Sequence, residues 1–248
     1  MNKKKLKIGL ITYRGNPSSG GQGIYINYLS RALSDLGHEV TVISGPPYPE
    51  IRKDIKLVKI PSLDLFSKKN KFLDVKFSKL FSLNNLKEWI SANSGGFPEP
   101  HTFGPRLEKF IEENAGQFDV IHDNQTLCKE LISLQQKLPL VTTIHHPITK
   151  DLEFQLKSTN DFFLKLLIKR WHSFIPTQIK VAKKLKKIVV PSESSGKDVV
   201  KDFSLKDASI EVVHNGIDLG FFYPSDKPYE DYKILSIASS DVPMKGLD

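Results

Sequence analysis

Residues 5–44 read KLKIGLITYRGNPSSGGQGIYINYLSRALSDLGHEVTVIS. An apolar run from Lys5 to Thr12 is followed by a loop, Tyr13 to Gly23, and then by Ile24, Tyr28, Leu29, Ala32, Leu33 and Leu36 at helical spacing, closed by Gly37. That succession is a strand, a glycine loop, a helix and a C-capping glycine. Glu39 to Ser44, rich in β-branched residues, is a second strand, and Lys56 to Ile60 a third, each bounded by Pro, Gly or Asp. The opening is therefore a βαβ unit with short connections.

Working outward, Phe118 to His122, Leu138 to Ile144, Lys187 to Val190 and Ile210 to Val213 are further strand candidates. Helical patterns fall at Pro105 to Asn114, Cys128 to Gln136, a long stretch from Asp151 to Leu185, and Ser194 to Asp202. Strands alternating with helices predict an α/β fold with a Rossmann-like, doubly wound, mostly parallel sheet. Two regions break the alternation. Ser62 to Phe103 is an insertion in which Lys68, Lys69, Lys71, Lys76 and Lys79 mingle with Phe72, Phe77, Leu80 and Phe81. After Tyr223-Pro224-Ser225-Asp226-Lys227-Pro228, a turn-rich segment, Lys233 to Ala238 starts a new apolar strand. A lone strand cannot bury its own faces, so the expected division is one domain over residues 1–224 and, over 225–248, a linker and the first strand of a truncated second domain.

Composition narrows the function classes. Of 248 residues 39% are hydrophobic and 26% charged, which suits a globular chain with a sizeable core and not a disordered one. The net charge of +8 comes almost wholly from lysine. Lysine is a hydrated point charge, better suited to an anionic membrane or anionic substrate than to reading base sequence. A lysine-rich solubilising surface accounts for the charge equally well. The single cysteine, Cys128, forms neither an internal disulfide nor a cysteine-based zinc site, and points to the cytosol. Lys3, Lys4, Lys5 and Lys7 are followed by an apolar run, Ile8 to Ile11, too short for a signal peptide.

The candidate chemistry lies where strands give way to loops. Gly20-Gly21-Gln22-Gly23, between the first strand and helix, either offers free backbone amides to an anion or serves as a packing turn. It has the spacing of neither the dinucleotide fingerprint nor the P-loop. His145 and His146 emerge at the carboxyl end of one strand and His122-Asp123-Asn124 at the end of another. Open α/β sheets bind ligands at that edge, where these side chains reach a substrate hydroxyl or make a structural hydrogen bond. His122, Asp123, His145 and His146 are acceptable metal ligands by type, but their spacing does not converge them, and no metal is expected. Ser194 is read as the N-cap of the following helix.

The Ile8-Gly9-Leu10 strand, the Gly20-to-Gly23 loop, Leu36-Gly37-His38-Glu39-Val40, Phe118-Asp119-Val120-Ile121-His122, Thr142-Thr143-Ile144-His145, Val190-Pro191-Ser192 and Val213-His214-Asn215-Gly216-Ile217-Asp218 together resemble family-4 retaining glycosyltransferases of the GT-B fold. Gly95-Gly96-Phe97-Pro98-Glu99-Pro100 and Ser239 to Gly246 are similar to one bacterial branch of that family. The resemblance implies an acceptor-binding N-terminal domain facing a donor-binding one, and metal-independent transfer from a nucleotide-sugar donor to a glycan, lipid-linked or small-molecule acceptor. It implies that Gly20, Gly21, Gln22 and Gly23 lie near the donor phosphates, that His145 contacts the transferred sugar, and that Lys245 neutralises the departing diphosphate. His122, Asp123, Asn124 and His146 are candidates for the acceptor. Ser239 stands where the family often has an arginine, and the family's glutamate motif belongs beyond Asp248, so the chain alone is expected to be inactive.

A non-catalytic module that recognises a glycan, nucleotide or partner is the alternative of a different class. Nucleic-acid binding lacks a recognition motif. The insertion is either an interfacial element on an anionic membrane, which makes the protein peripheral at the inner face, or a flap with its aromatics turned inward.

Overall fold

A computed structural model describes residues 4–17, 21–114, 116–205 and 210–224. Among the described residues seven strands form one parallel sheet: β1 (Lys7–Thr12), β2 (Glu39–Ser44), β3 (Lys56–Lys59), β4 (Val120–Asn124), β5 (Leu140–Thr143), β6 (Ile188–Val190) and β7 (Ile210–Val212). The order β3-β2-β1-β4-β5-β6-β7 confirms the Rossmann-like sheet. β1 pairs with both β2 and β4, so the chain changes direction across the sheet at β1 and a crevice opens at the carboxyl ends of β1 and β4.

Among the described residues eight helices flank it: α1 (Gly21–Asp35), α2 (Leu83–Asn93), α3 (Glu99–Glu113), α4 (Leu131–Lys137), α5 (Thr149–Lys157), α6 (Phe162–Trp171), α7 (Ile175–Ala182) and α8 (Glu193–Phe203). Alternation along β1 sends Ile8 and Leu10 to one face, where they pack with Ile26, Val40 and Val42, and Ile11 to the other, with Ile43, Phe103 and Leu107. Both faces are covered, which is why these strands read as continuous apolar runs. Gly37, at φ 89°, ends α1 as expected: His38 N–H bonds Leu33 C=O at 3.2 Å and Gly37 N–H bonds Ser34 C=O at 2.9 Å.

Three expectations need correction. The stretch from Asp151 to Leu185 is three helices rather than one. Asp161 accepts from Leu164 N–H at 3.1 Å and starts α6, and Pro176, which has no N–H to give, sits in the first turn of α7. α3 begins at Glu99 with Pro100 in its first turn, and Pro105 lies inside it instead of opening it. α8 is capped by Ser192, whose Oγ accepts from Ser195 N–H at 3.1 Å, and not by Ser194.

The insertion holds a short 3-10 turn (Phe77–Phe81) and α2. It is pinned by Glu88, 2% exposed, which takes Leu63 N–H at 3.1 Å and pairs with Arg106 of α3. Its aromatics divide between the two readings: Phe97 and Phe103 are buried, while Phe66, Phe72, Phe77 and Phe81 are exposed. Among the described residues no helix is long and apolar enough to cross a membrane. Residues 225–248, with the expected second-domain strand, lie outside the described residues.

Candidate functional site

The β4–β5 register sets Asn124 opposite Thr143 and His122 opposite Val141, so the polar residues that end the two strands meet at one edge. Asn124 Nδ2 donates to Gln22 C=O at 3.4 Å, and this orients its Oδ1 toward His145 Nε2, 2.7 Å away. An amide oxygen accepts only, so His145 Nε2 carries the proton and Nδ1 is the acceptor. Burial, with His146 beside it, pushes the His145 pKa down to about 4, so the ring is neutral at pH 7. Asn124 thus ties the first turn of α1 to the segment beyond β5.

Behind this pair, His122 Nε2 meets Thr143 Oγ1 at 2.7 Å, and Thr143 Oγ1 meets the Tyr25 hydroxyl at 3.3 Å. The Tyr25 ring stands edge-on to the His145 ring, with centroids 4.6 Å apart. His122 is also held neutral, at about 4, by burial and by neighbouring His145. Gln125 then clamps the two histidines. Its Oε1 accepts from His145 N–H at 2.7 Å and its Nε2 donates to His146 C=O at 2.8 Å.

That clamp is built on a tight turn, with Gln125 and Leu127 at φ 50° and 47°, a region L-residues enter at a cost of about 1 kcal/mol. Asp123 underpins it: its carboxyl accepts from Thr126 N–H at 3.2 Å, Leu127 N–H at 3.4 Å and the Thr126 hydroxyl. Complete burial pushes Asp123 up to about 7, against the pull of those donors. On the other wall, a Cβ on Gly23 would lie 2.4 Å from Asn16 O and 2.5 Å from Gly15 O, so only glycine lets the β1–α1 loop close over the start of α1.

The structure therefore brings together Gly21, Gln22, Gly23, His122, Asn124 and His145. Asp123 lies beneath them in the core, and the His146 ring turns away to Asp151, 3.1 Å from its carboxylate. Gly20 and Lys245 lie outside the described residues. Tyr25, Thr143 and Gln125 were not anticipated. The Thr-Thr ending of β5 was the available signal, since alternate residues of a strand share a face. A separate recess of about 650 Å³ lies past the end of β3, walled by Val58, Ile60, Arg106 and Phe110.

The chemistry available here is hydrogen bonding from neutral groups beside a helix N-terminus. The amides of Gly21, Gln22 and Gly23 have no intrahelical acceptor and face an anion favourably. Among the described residues no group of three or more His, Cys, Asp or Glu is arranged to hold a metal ion.

The chain is 38% identical over 244 residues to the MMP alpha-(1->4)-mannosyltransferase of Mycolicibacterium hassiacum, an alignment covering 98% of this chain and 59% of that protein. It thus spans under two thirds of that relative's length. Among solved structures, a glycosyltransferase from Rickettsia africae is 14% identical with TM-score 0.46, the match covering 91% of this chain and 47% of that one. Arabidopsis thaliana UGT89C1 complexed with UDP is 13% identical with TM-score 0.49, covering 87% and 50%. Residues 19–221, which include α1, the clamp and both histidine segments, match the Glycosyltransferase Family 4 model, and the chain belongs to that family.

Proposed function

We propose that this chain supplies the acceptor-binding half of a retaining, nucleotide-sugar-dependent glycosyltransferase, and that the sugar moved is mannose. The observation that carries the reading is His145, neutral and fixed through Nε2 by Asn124, at the crevice beside the N-terminus of α1. The relative's name, a mannosyltransferase, supports the sugar. Residues 1–224 form the acceptor domain, and 225–248 begin a donor domain. The domain beyond would hold the nucleotide, with Lys245 on the diphosphate.

In this reading the acceptor hydroxyl attacks the anomeric carbon on the face from which the diphosphate leaves. The carbon–oxygen bond to the acceptor forms as the bond to the phosphate oxygen breaks, and that oxygen takes the hydroxyl proton. No protein nucleophile and no metal is required. The protein's part is positioning and charge stabilisation. The Nδ1 atom of His145 accepts from a sugar hydroxyl, and the amides of Gly21 to Gly23 face the phosphates as charge builds on them. His122, Thr143 and Tyr25 hold the ring in place, and Asn124 sets its tautomer.

The test compares the 248-residue protein with the polypeptide extended through a donor domain, each given mannosyl donors and mannoside acceptors, reading nucleoside diphosphate release and product anomer by NMR. The extended form is expected to turn over with retained configuration, and the 248-residue form to be silent. His145→Ala in the extended form is expected to lower turnover about 100-fold, the scale of one lost transition-state hydrogen bond. Turnover by the shorter form, an inverted anomer, or an undiminished His145→Ala would each refute the corresponding part of the reading.

A further inference from the structure

Helix α6 reads FFLKLLIKRW and buries none of its ten residues. Phe163 is 74% exposed and Leu167 53%. A helix this short is marginal on its own in water and ordinarily relies on covering an apolar stripe. Lys165, Lys169 and Arg170 punctuate the stripe, and residues 162–171 hold no acid.

The exposed face continues beyond α6. Arg170 Nη2 donates to Ser94 Oγ at 2.8 Å, which brings α6 against the end of α2. Along α2, Leu83, Lys87 and Ile90 fall at i, i+4 and i+7 on one row, with Leu83 76% and Ile90 52% exposed. Asn93 Nδ2 reaches Lys71 C=O at 3.4 Å and the Phe72 ring lies 4.8 Å from that of Trp89, which joins residues 71–73 to the same surface. The lysines follow the apolar groups. Over residues 67–83, Lys68, Lys69, Lys71, Lys76 and Lys79 stand against Asp74 alone.

We propose that this face, made by α6, the Leu83–Ile90 row of α2 and residues 68–73, docks on an anionic lipid bilayer with its aromatics at the headgroup level. Exposed apolar side chains interleaved with lysine are what an interfacial element requires, because burial of the former and attraction of the latter act together. A second copy would oppose lysine with lysine, which costs free energy instead of contributing it. The inference goes beyond the transferase reading and stands without it.

The test is co-sedimentation of the full-length gene product with vesicles of phosphatidylcholine alone and of phosphatidylcholine mixed with phosphatidylglycerol, at low and high salt. Binding is expected to the anionic vesicles alone and to fall steeply with salt. Lys165→Glu with Lys169→Glu should weaken it by about 10-fold or more. The same charge change at Lys183 and Lys186, between α7 and the amino end of β6, should leave it within about 2-fold. Phe163→Ser with Leu167→Ser should also weaken it while leaving the thermal melt near wild type, since neither residue is buried. Absence of binding to anionic vesicles, equal binding to neutral ones, or equal losses from both lysine pairs would overturn the proposal. A dimer dispersed by the Phe163 and Leu167 changes would assign the face to a second copy and overturn it as well.

Discussion

Around His145 the polar side chains of Asn124, Gln125 and Thr143 are all hydrogen-bonded, as is that of Gln22, whose Nε2 donates to the Tyr13 hydroxyl at 3.2 Å, and the strands beneath them are covered on both faces. Along α6 and the outer row of α2 the reverse holds: Phe163, Leu167, Leu83 and Ile90 are each more than half exposed. The two regions are adjacent, since Phe97 stacks on Trp171 at 4.9 Å and on the other side meets Tyr13, at the end of β1, at 5.6 Å. The contrast teaches that exposure here is not looseness. The insertion is anchored by a buried ion pair even though many of its apolar side chains are exposed.

That anchor gives the largest expected effect. Arg106→Met leaves the Glu88 carboxylate buried without its cation and should cost about 3–5 kcal/mol in denaturant unfolding. A loss below about 1 kcal/mol would mean that the insertion is held by something other than this pair.

Second comes the pH dependence of the polar edge. His122 has a folded pKa near 4 against an ordinary 6.5, so the unfolded chain takes up the proton first. Its contribution is therefore intact above about pH 6.5 and is lost as pH falls toward 4, about 3 kcal/mol in all. Asp123, raised from 3.8 to about 7, works oppositely: the folded state holds a proton the unfolded one lacks, so acidification through that window favours folding. His145, lowered to about 4 in the same way, adds to the loss, so the two histidines outweigh Asp123: wild-type stability should fall between pH 7 and 4, and His122→Gln should be the more acid-resistant of the two. Coincident stability profiles for wild type and His122→Gln would contradict the neutral, buried histidine.

Smaller still, Gly23→Ala should cost about 1–3 kcal/mol, as overpacking does, by pushing Gly15 and Asn16 off α1. A melt equal to wild type would show that the loop yields freely. At the other extreme Phe163→Ser should change stability by less than about 0.5 kcal/mol, because nothing packs on that ring from within the core. A loss comparable to that of a buried phenylalanine would erase the contrast between the regions.

The sheet was legible because its inner strands are covered on both faces and so appear as apolar runs; Glu39 to Ser44 matches β2 residue for residue. Helix limits were less so. Asp161 and Pro176 interrupt a continuous helical periodicity through local hydrogen bonding that hydropathy does not register. At the site, Asn124 and His145 could be placed at strand ends, but their meeting depends on the β4–β5 register, which puts Asn124 opposite Thr143. Gln125 and Tyr25 were hidden for the same reason: one is a loop residue and the other lies on α1, and only the tertiary fold brings them to His145. The outward face of α6 was hidden as well, because an apolar helix reads as core by pattern.

The left-handed turn at Gln125 carries a consequence for laboratory evolution. Glycine there would relax the backbone, and a selection that rewards heat resistance alone would be free to install it. The same exchange would release His145 N–H and His146 C=O, so a library screened for sugar transfer should retain glutamine at a position where a library screened for melting temperature drifts away from it.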